Sequence, residues 1–342
     1  MPYRVIYYLI LFLLMLPSLI IGQSSRFITV SNVRARSLAL GGAFTSVVDD
    51  MPAAFYNPAC YDLYKIKKQN RLTFFLNPVS PVVFGFEKNK LFTGYGTPED
   101  DVLLTLSHLL KSISLSLNSL EVGLILGEQN IQLPSDFYEQ RLFPVSGFRQ
   151  NHSHAIVGRF KLADQVSIGA AANLIYSNKN TKPNERYEKI SVSYGILLKA
   201  EKGLQIGVSL VDLPDSLKGV RLPLERIVDE AVNVGISYRL WDSTLSLDVR
   251  NLGEEKEEAV REFHVGYEQF ILSHIALRTG WYKKTNGGNV YSFGIGLING
   301  NGIWNSERMF GHQNIFLNYA FIYENEPIND NKWHFLSFFI RI

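Results

Sequence analysis

The chain has 342 residues, 46% of them hydrophobic and 13% aromatic, with a formal net charge of +2. That apolar content excludes a disordered chain, and the near balance of charge excludes the basic footprint of a nucleic-acid binder. One cysteine, Cys60, leaves no intrachain disulfide and no cysteine-based metal cluster.

Near the start of the chain Arg4 precedes an apolar run over 5–21 (VIYYLILFLLMLPSLII), and Gly22-Gln23-Ser24-Ser25 follows. A basic start, an apolar core broken by Pro17 and a small residue at its end predict a secretory signal peptide over 1–22. An uncleaved anchor helix is the alternative. The run sits at the lower limit for spanning a bilayer, however, and the proline favours cleavage. No later stretch is long and apolar enough for a membrane helix, so a membrane-embedded mature chain must cross with strands.

Residues 23–68 read as a segment apart from the strands that follow. Along it come Arg34, Arg36, Gly41-Gly42, Asp49-Asp50 and Asn57-Pro58-Ala59. The glycine pair lets two backbones approach closely. Pro58 stiffens a turn, and Asn57 can bond its own backbone. Adjacent carboxylates suit metal or acid–base chemistry only with a third ligand or a histidine nearby, and none is evident. Asp49 and Asp50 are therefore expected to bond backbone or to pair with Arg34 or Arg36, because a buried charge needs a partner. Cys60 has no nucleophile signature around it and is expected to be a small packed residue.

From about Asn70 onward the period changes to two. Ile190, Val192, Tyr194, Ile196 and Leu198 alternate with Ser191, Ser193, Gly195 and Leu197; Val232 to Leu240, Leu245 to Val249 and Tyr291 to Leu297 repeat the pattern. Similar runs cover 165–177, 203–211, 262–271, 274–283, 314–323 and 332–342. Successive side chains of a strand point to opposite faces, so each run predicts a strand with one apolar and one small or polar face. Many runs reach about ten residues, the length a tilted strand needs to cross a bilayer, where globular strands average about five or six. Tight links fall at Ala163-Asp164, Glu201-Lys202, Trp241-Asp242-Ser243 and near Ser273, and long polar links at 178–187, 212–230, 252–261 and 324–331. Short turns at one rim and long loops at the other are the pattern of outer-membrane barrels. The expected fold is all-β, a closed antiparallel transmembrane barrel of about fourteen strands over 69–342.

Asp248, Arg250, Glu268 and Arg278 fall on the inward parity of their strands and are expected to pair across them or to line a polar path. The seven histidines are scattered; His152 and His154 share a strand end without a carboxylate or cysteine at ligand spacing. Glu254 to Glu258 reads as a solvated loop. No phosphate loop, nucleophile elbow or zinc motif occurs, so no enzyme activity and no cofactor or metal are expected. The final strand, with Trp333, Phe335, Phe338, Ile340 and Ile342, is expected to close the barrel against the first strand, since an unpaired ladder in lipid costs several kcal/mol per group. An apolar terminal strand of this kind is also what the barrel-assembly machinery recognises.

Residues 34–63, with Ala35-Arg36, Gly41-Gly42-Ala43-Phe44, Asp49-Asp50 and Asn57-Pro58-Ala59 in this order, resemble the opening of the FadL-type and PorV/PorQ-type outer-membrane proteins. The stretches at 233–240, 265–282, 290–297 and 317–323 resemble the strand units of the same family. The resemblance implies that 23–68 folds inside the barrel as a plug. It also implies one of two roles: passage of hydrophobic small molecules across the outer membrane, or a non-enzymatic part of a type IX-like secretion or surface-attachment complex. Expected partners are outer-membrane lipid and a hydrophobic ligand or secretion proteins, with no nucleic acid. A soluble all-β binding module is the rival from another class; its apolar strand faces would pack on one another. A conduit predicts an apolar pocket against the plug, and a complex component a closed lumen.

Overall fold

The structure, a computed structural model, describes residues 26–29, 33–63, 70–79, 109–129, 152–178, 186–200, 203–212, 231–252, 261–271, 275–284, 288–298, 314–325 and 330–342. The signal peptide, the Glu254–Glu258 run, and His108, His274 and His312 lie outside the described residues.

The first described elements are β1 (Arg26–Thr29), a short helix α1 (Ala35–Ala39) and two 3-10 turns at Met51–Phe55 and Pro58–Cys60. Fourteen strands follow: β2 (Arg71–Leu76), β3 (Leu110–Ser116), β4 (Leu120–Gln129), β5 (His152–Ala163), β6 (Val166–Asn178), β7 (Arg186–Lys199) and β8 (Leu204–Asp212), then β9 (Ala231–Leu240), β10 (Ser243–Leu252), β11 (Glu262–Ile271), β12 (Ile275–Lys283), β13 (Asn289–Ile298), β14 (Asn314–Asn325) and β15 (Asp330–Arg341). Each pairs antiparallel with its sequence neighbour, and β15 returns to β2 through Ile340↔Leu76 and Arg341↔Phe75. Phe74 and Ile342 add two mutual backbone hydrogen bonds of 2.9 Å. The result is a closed fourteen-stranded antiparallel barrel. Closure leaves no free edge to carry unsatisfied backbone.

The alternation sorts the two faces of the wall. On β7, Ile190, Tyr194, Ile196 and Leu198 are exposed outward, while Ser191, Ser193 and Leu197 are buried inward. The turn rhythm also agrees: β5–β6 and β9–β10 turn in two residues, whereas β8 and β9 are separated by 213–230. The link expected at 324–331 is shorter, at 326–329, because β14 and β15 each run twelve residues.

One strand was not expected. β1 pairs in parallel with β15, Arg26↔Lys332 through Thr29↔Phe335, so β15 shares one edge between β1 and β2. Four residues, Arg-Phe-Ile-Thr, are too few to display a period, and their partner lies three hundred positions away.

The final strand does not act as a single block. Trp333 and Phe335 point inward and join Ala35, Leu38 and Ala39 in a buried cluster with Tyr282, Val290, Ala320 and Ile322. Phe338, Ile340 and Ile342 take the opposite parity and turn outward.

Candidate functional site

Residues 33–63 form a compact unit packed on the wall's inward face. The chain doubles back on itself, with Asp49 N donating to the Cys60 carbonyl (3.2 Å) and Asp62 N to the Asp49 carbonyl (2.8 Å). Gly41 and Gly42 both hold left-handed φ angles, +64° and +74°. These give the turn after α1 a shape that side chains resist. Gly41 also lies directly against Gly280 of β12, where a Cβ on Gly280 would overlap the Gly41 nitrogen.

Hydrogen bonds join the unit to strands on several sides. Both Phe44 N and Thr45 N donate to Asp248 Oδ2 on β10, each at 2.8 Å. Asn57 Nδ2 donates to the Thr45 carbonyl (2.8 Å) and to the Ile196 carbonyl of β7 (3.2 Å), while its Oδ1 accepts from Ala59 N at 3.0 Å. Ser167 Oγ of β6 donates to the Ala59 carbonyl at 2.9 Å. Ser237 Oγ of β9 reaches the Ser46 carbonyl (3.2 Å), and His264 Nδ1 of β11 donates to the Gly41 carbonyl (2.6 Å). Tyr61 hydroxyl meets Ser114 Oγ of β3 at 2.6 Å. These bonds run from residues 41–61 to β3, β6, β7, β9, β10 and β11.

Two ionic clusters reinforce these contacts. Arg36 pairs with Asp49 (2.9 Å) in its own unit and with Glu268 of β11 (2.6 Å); Glu268 also holds Arg278 of β12 at 2.6 Å. Burial works against charge on Arg36, but the Asp49 and Glu268 carboxylates outweigh it and hold the guanidinium above its ordinary pKa. In the second cluster Arg159 of β5, only 1% exposed, pairs with Asp62 (2.8 Å) and with Glu121 of β4 (3.0 Å) and donates to the Tyr61 carbonyl (3.1 Å). Removing one member of such a pair leaves a buried charge without its partner, at about 3–5 kcal/mol.

The expected residues thus separate by role. Arg36 and Asp49 are brought together, as their charges required. Asp50 is not paired in the same way. Its carboxyl lines a cavity of about 60 Å³ with Val33, Arg36, Asp49, Asn318 and the rings of Phe75, Phe316 and Phe339. Burial, then the neighbouring Asp49 carboxylate, push Asp50 up to about 7, with Arg341 and Arg36 pulling the other way. Gly41, Gly42, Asn57, Pro58 and Ala59 all lie where the unit turns or meets the wall. Cys60 is fully buried, its Sγ 3.3 Å from the Thr45 carbonyl, and burial raises its thiol pKa, which suits a packed residue.

Sequence reasoning did not single out Arg159, Asp62 or Tyr61. A signal for Arg159 was present: it holds an inward parity on a strand whose nearest inward residues, Ala155 and Val157, are small and apolar. Asp248 was seen to face inward, but its task, accepting two backbone donors of a distant segment, has no local signature. Among the described residues no group of three or more His, Cys, Asp or Glu is placed to hold a metal ion.

No family model matches the chain, and no curated protein matches it. Among solved structures it is similar to a triple mutant of the Rh. blastica porin, at 9% identity and a TM-score of 0.34 over 68% of this chain and 75% of that one. A second mutant of that porin has a TM-score of 0.35 at 9% identity, with the same coverage of both chains. A triple mutant of the Rhodopseudomonas blastica porin stands at 10% identity and 0.34, again over 68% and 75%.

Proposed function

We propose that this protein is an exported outer-membrane β-barrel of the FadL-type and PorV/PorQ-type class, closed by its own N-terminal segment, and that it serves as a non-enzymatic part of a protein secretion or surface-attachment complex. The observation that carries the closed state is the filled interior. Residues 33–63 are bonded to β3, β6, β7, β9, β10 and β11. The membrane address is supported by the outward face. Leu72, Ile156, Ile190, Phe263 and Phe293, on strands spread around the wall, are each more than half exposed. A soluble protein seldom leaves so continuous an apolar surface in water, whereas lipid requires one.

In this reading residues 23–68 are the plug, the final strand is what the assembly machinery engages, and the lasting partners are lipid and other proteins of the complex. A second reading, passage of hydrophobic small molecules, is favoured by one observation: Phe75, Phe316 and Phe339 bring apolar rings to the cavity wall near the junction of β2 and β15. Passage would then require the plug to shift.

Single-molecule conductance in planar lipid bilayers tests the choice. The intact mature protein is expected to stay closed, and a variant lacking residues 26–63 to conduct steadily. Steady conductance by the intact protein would remove the closed-barrel reading. Entry of a long-chain fatty acid into vesicles through the intact protein would favour the second reading over the first.

A further inference from the structure

The turn at 41–45 of the N-terminal segment is held by two titratable side chains from one rung of the wall. Asp248 of β10 stands opposite His264 of β11, and His264 stands opposite Tyr282 of β12. Asp248 accepts from Phe44 N and Thr45 N, while His264 Nδ1 lies 2.6 Å from the Gly41 carbonyl oxygen. The imidazole is 1% exposed and stacks on the Tyr282 ring, with centroids 4.4 Å apart and planes at 15°. Its other nitrogen, Nε2, is 3.3 Å from Oε2 of Glu262, a buried carboxyl two residues back along β11.

Counting donors fixes the proton content of this chain of bonds. A carbonyl oxygen only accepts, so Nδ1 carries a hydrogen, and an ionised carboxylate also only accepts. With both contacts made, either Nε2 carries a second hydrogen or Glu262 is protonated and donates to it. In both cases the pair holds one proton more than a neutral histidine beside a carboxylate. When that proton leaves, a single N–H remains for two acceptors. The carboxylate takes it, because a hydrogen bond to an ionised partner is roughly twice as strong as a neutral one. Nδ1 then turns a lone pair toward the Gly41 carbonyl, and that bond to the segment is lost. Stacking on Tyr282 keeps the ring from turning away, so the two oxygens stay in competition.

We propose that the His264–Glu262 pair is a proton-controlled latch, which fastens the 41–45 turn to the wall while it holds its proton and releases the Gly41 carbonyl as pH rises. The charged groups around it do not supply this dependence. Arg250 of β10 stands opposite Glu262 and, as an arginine, keeps its charge. Lys284, just after β12, is engaged with Glu324 of β14. Asp248 bonds N–H groups and loses those bonds on acidification, the opposite direction. The segment brings no titratable side chain over 40–45. The inference needs only the contact between segment and wall; neither the membrane address nor the secretion role enters it.

Cys60, the one cysteine of the chain, reports on the latch. It is fully buried with Sγ 3.3 Å from the carbonyl of Thr45, the far end of the same turn, so loosening of the turn exposes the thiol. The rate at which N-ethylmaleimide labels Cys60 is measured in the intact mature protein in detergent and divided by the rate in His264→Asn at the same pH. Asparagine places an N–H where Nδ1 was and does not titrate, and the ratio cancels the thiolate fraction and every other titration the two proteins share. From about pH 5 to about pH 8, the range in which an ordinary histidine changes charge, the ratio is expected to rise about tenfold or more, the contribution of one hydrogen bond from a charged donor. Glu262→Gln, whose amide donates to Nε2 and leaves Nδ1–H to Gly41, is expected to give a flat ratio. A flat ratio in the wild-type protein overturns the latch, and so does an equal rise in Glu262→Gln. Where His264→Asn lacks the heat-shifted mobility of a folded barrel, wild type against Glu262→Gln carries the same comparison. Labelling of Cys60 at the rate of heat-denatured protein at every pH would remove the packed segment and the latch with it.

Discussion

Asp49 and Asp50 are neighbours in sequence with opposite fates. Asp49 spends its charge on Arg36 at 2.9 Å, and Asp50 is left at a cavity wall beside a like charge, with its carboxyl at about 7 instead of 3.8. A carboxyl raised in the folded state binds its proton more tightly there than in the unfolded chain. Its contribution is therefore fully present below the unfolded value, and it is lost as pH rises through the folded one. The detergent-solubilised barrel should accordingly lose thermal stability between about pH 4 and pH 7. Asp50→Asn should flatten that slope while leaving stability at low pH nearly unchanged. Midpoints of heat-induced mobility shift on gels across this range check the prediction; an unchanged slope in the variant would assign the loss to other groups.

At the scale of elements, the close contact of the N-terminal unit with the strands depends on absent side chains. Gly280 of β12 touches the Gly41 and Leu40 backbone, which cannot swing aside as a side chain would, whereas a Cβ on Gly158 of β5 would meet nothing within 4 Å. Gly280→Val should therefore lower the unfolding midpoint by an amount equal to about 1–3 kcal/mol or more, the usual cost of overpacking. Gly158→Val should be close to neutral. The same heat-shift assay compares them, and equal effects would mean that the two elements are not packed as described. The parallel pairing of β1 with β15 belongs to this scale as well. It sets residues 26–29 beside the strand that closes the wall, so β15 carries both the parallel pairing and the closure.

For the whole molecule, the deciding feature is the direction of the oily face. The inward face carries polar wall residues such as Ser191, Ser209, Asn233 and Ser246, so the apolar outward ring has only the surroundings to meet. A charge in that ring tests this directly. Ile236→Arg, at a position 44% exposed, should cost about 2–4 kcal/mol in a bilayer if the site lies near the midplane. In a soluble protein the same surface change falls within about 0.5 kcal/mol. Folding equilibria in phospholipid vesicles give the number, and a neutral result would count against the membrane.

The sequence by itself determined most of the wall strands, about fourteen in all, and the face each of their residues takes, because strand alternation is local and a run of ten residues displays it completely; four-residue β1 displayed none. Ile190 outside and Ser191 inside follow from parity alone. It also marked Arg36, Gly41, Gly42, Asp49 and Asn57 as belonging together. What only the tertiary structure decided was the set of partners. That Asp248 accepts from Phe44 and Thr45, that Glu268 bridges Arg36 and Arg278, that Arg159 holds Asp62, and that Trp333 and Phe335 pack on α1 all depend on where closure brings distant strands. Those contacts join residues as many as two to three hundred positions apart, and no local period encodes which inward side chain will stand opposite which turn of the N-terminal segment.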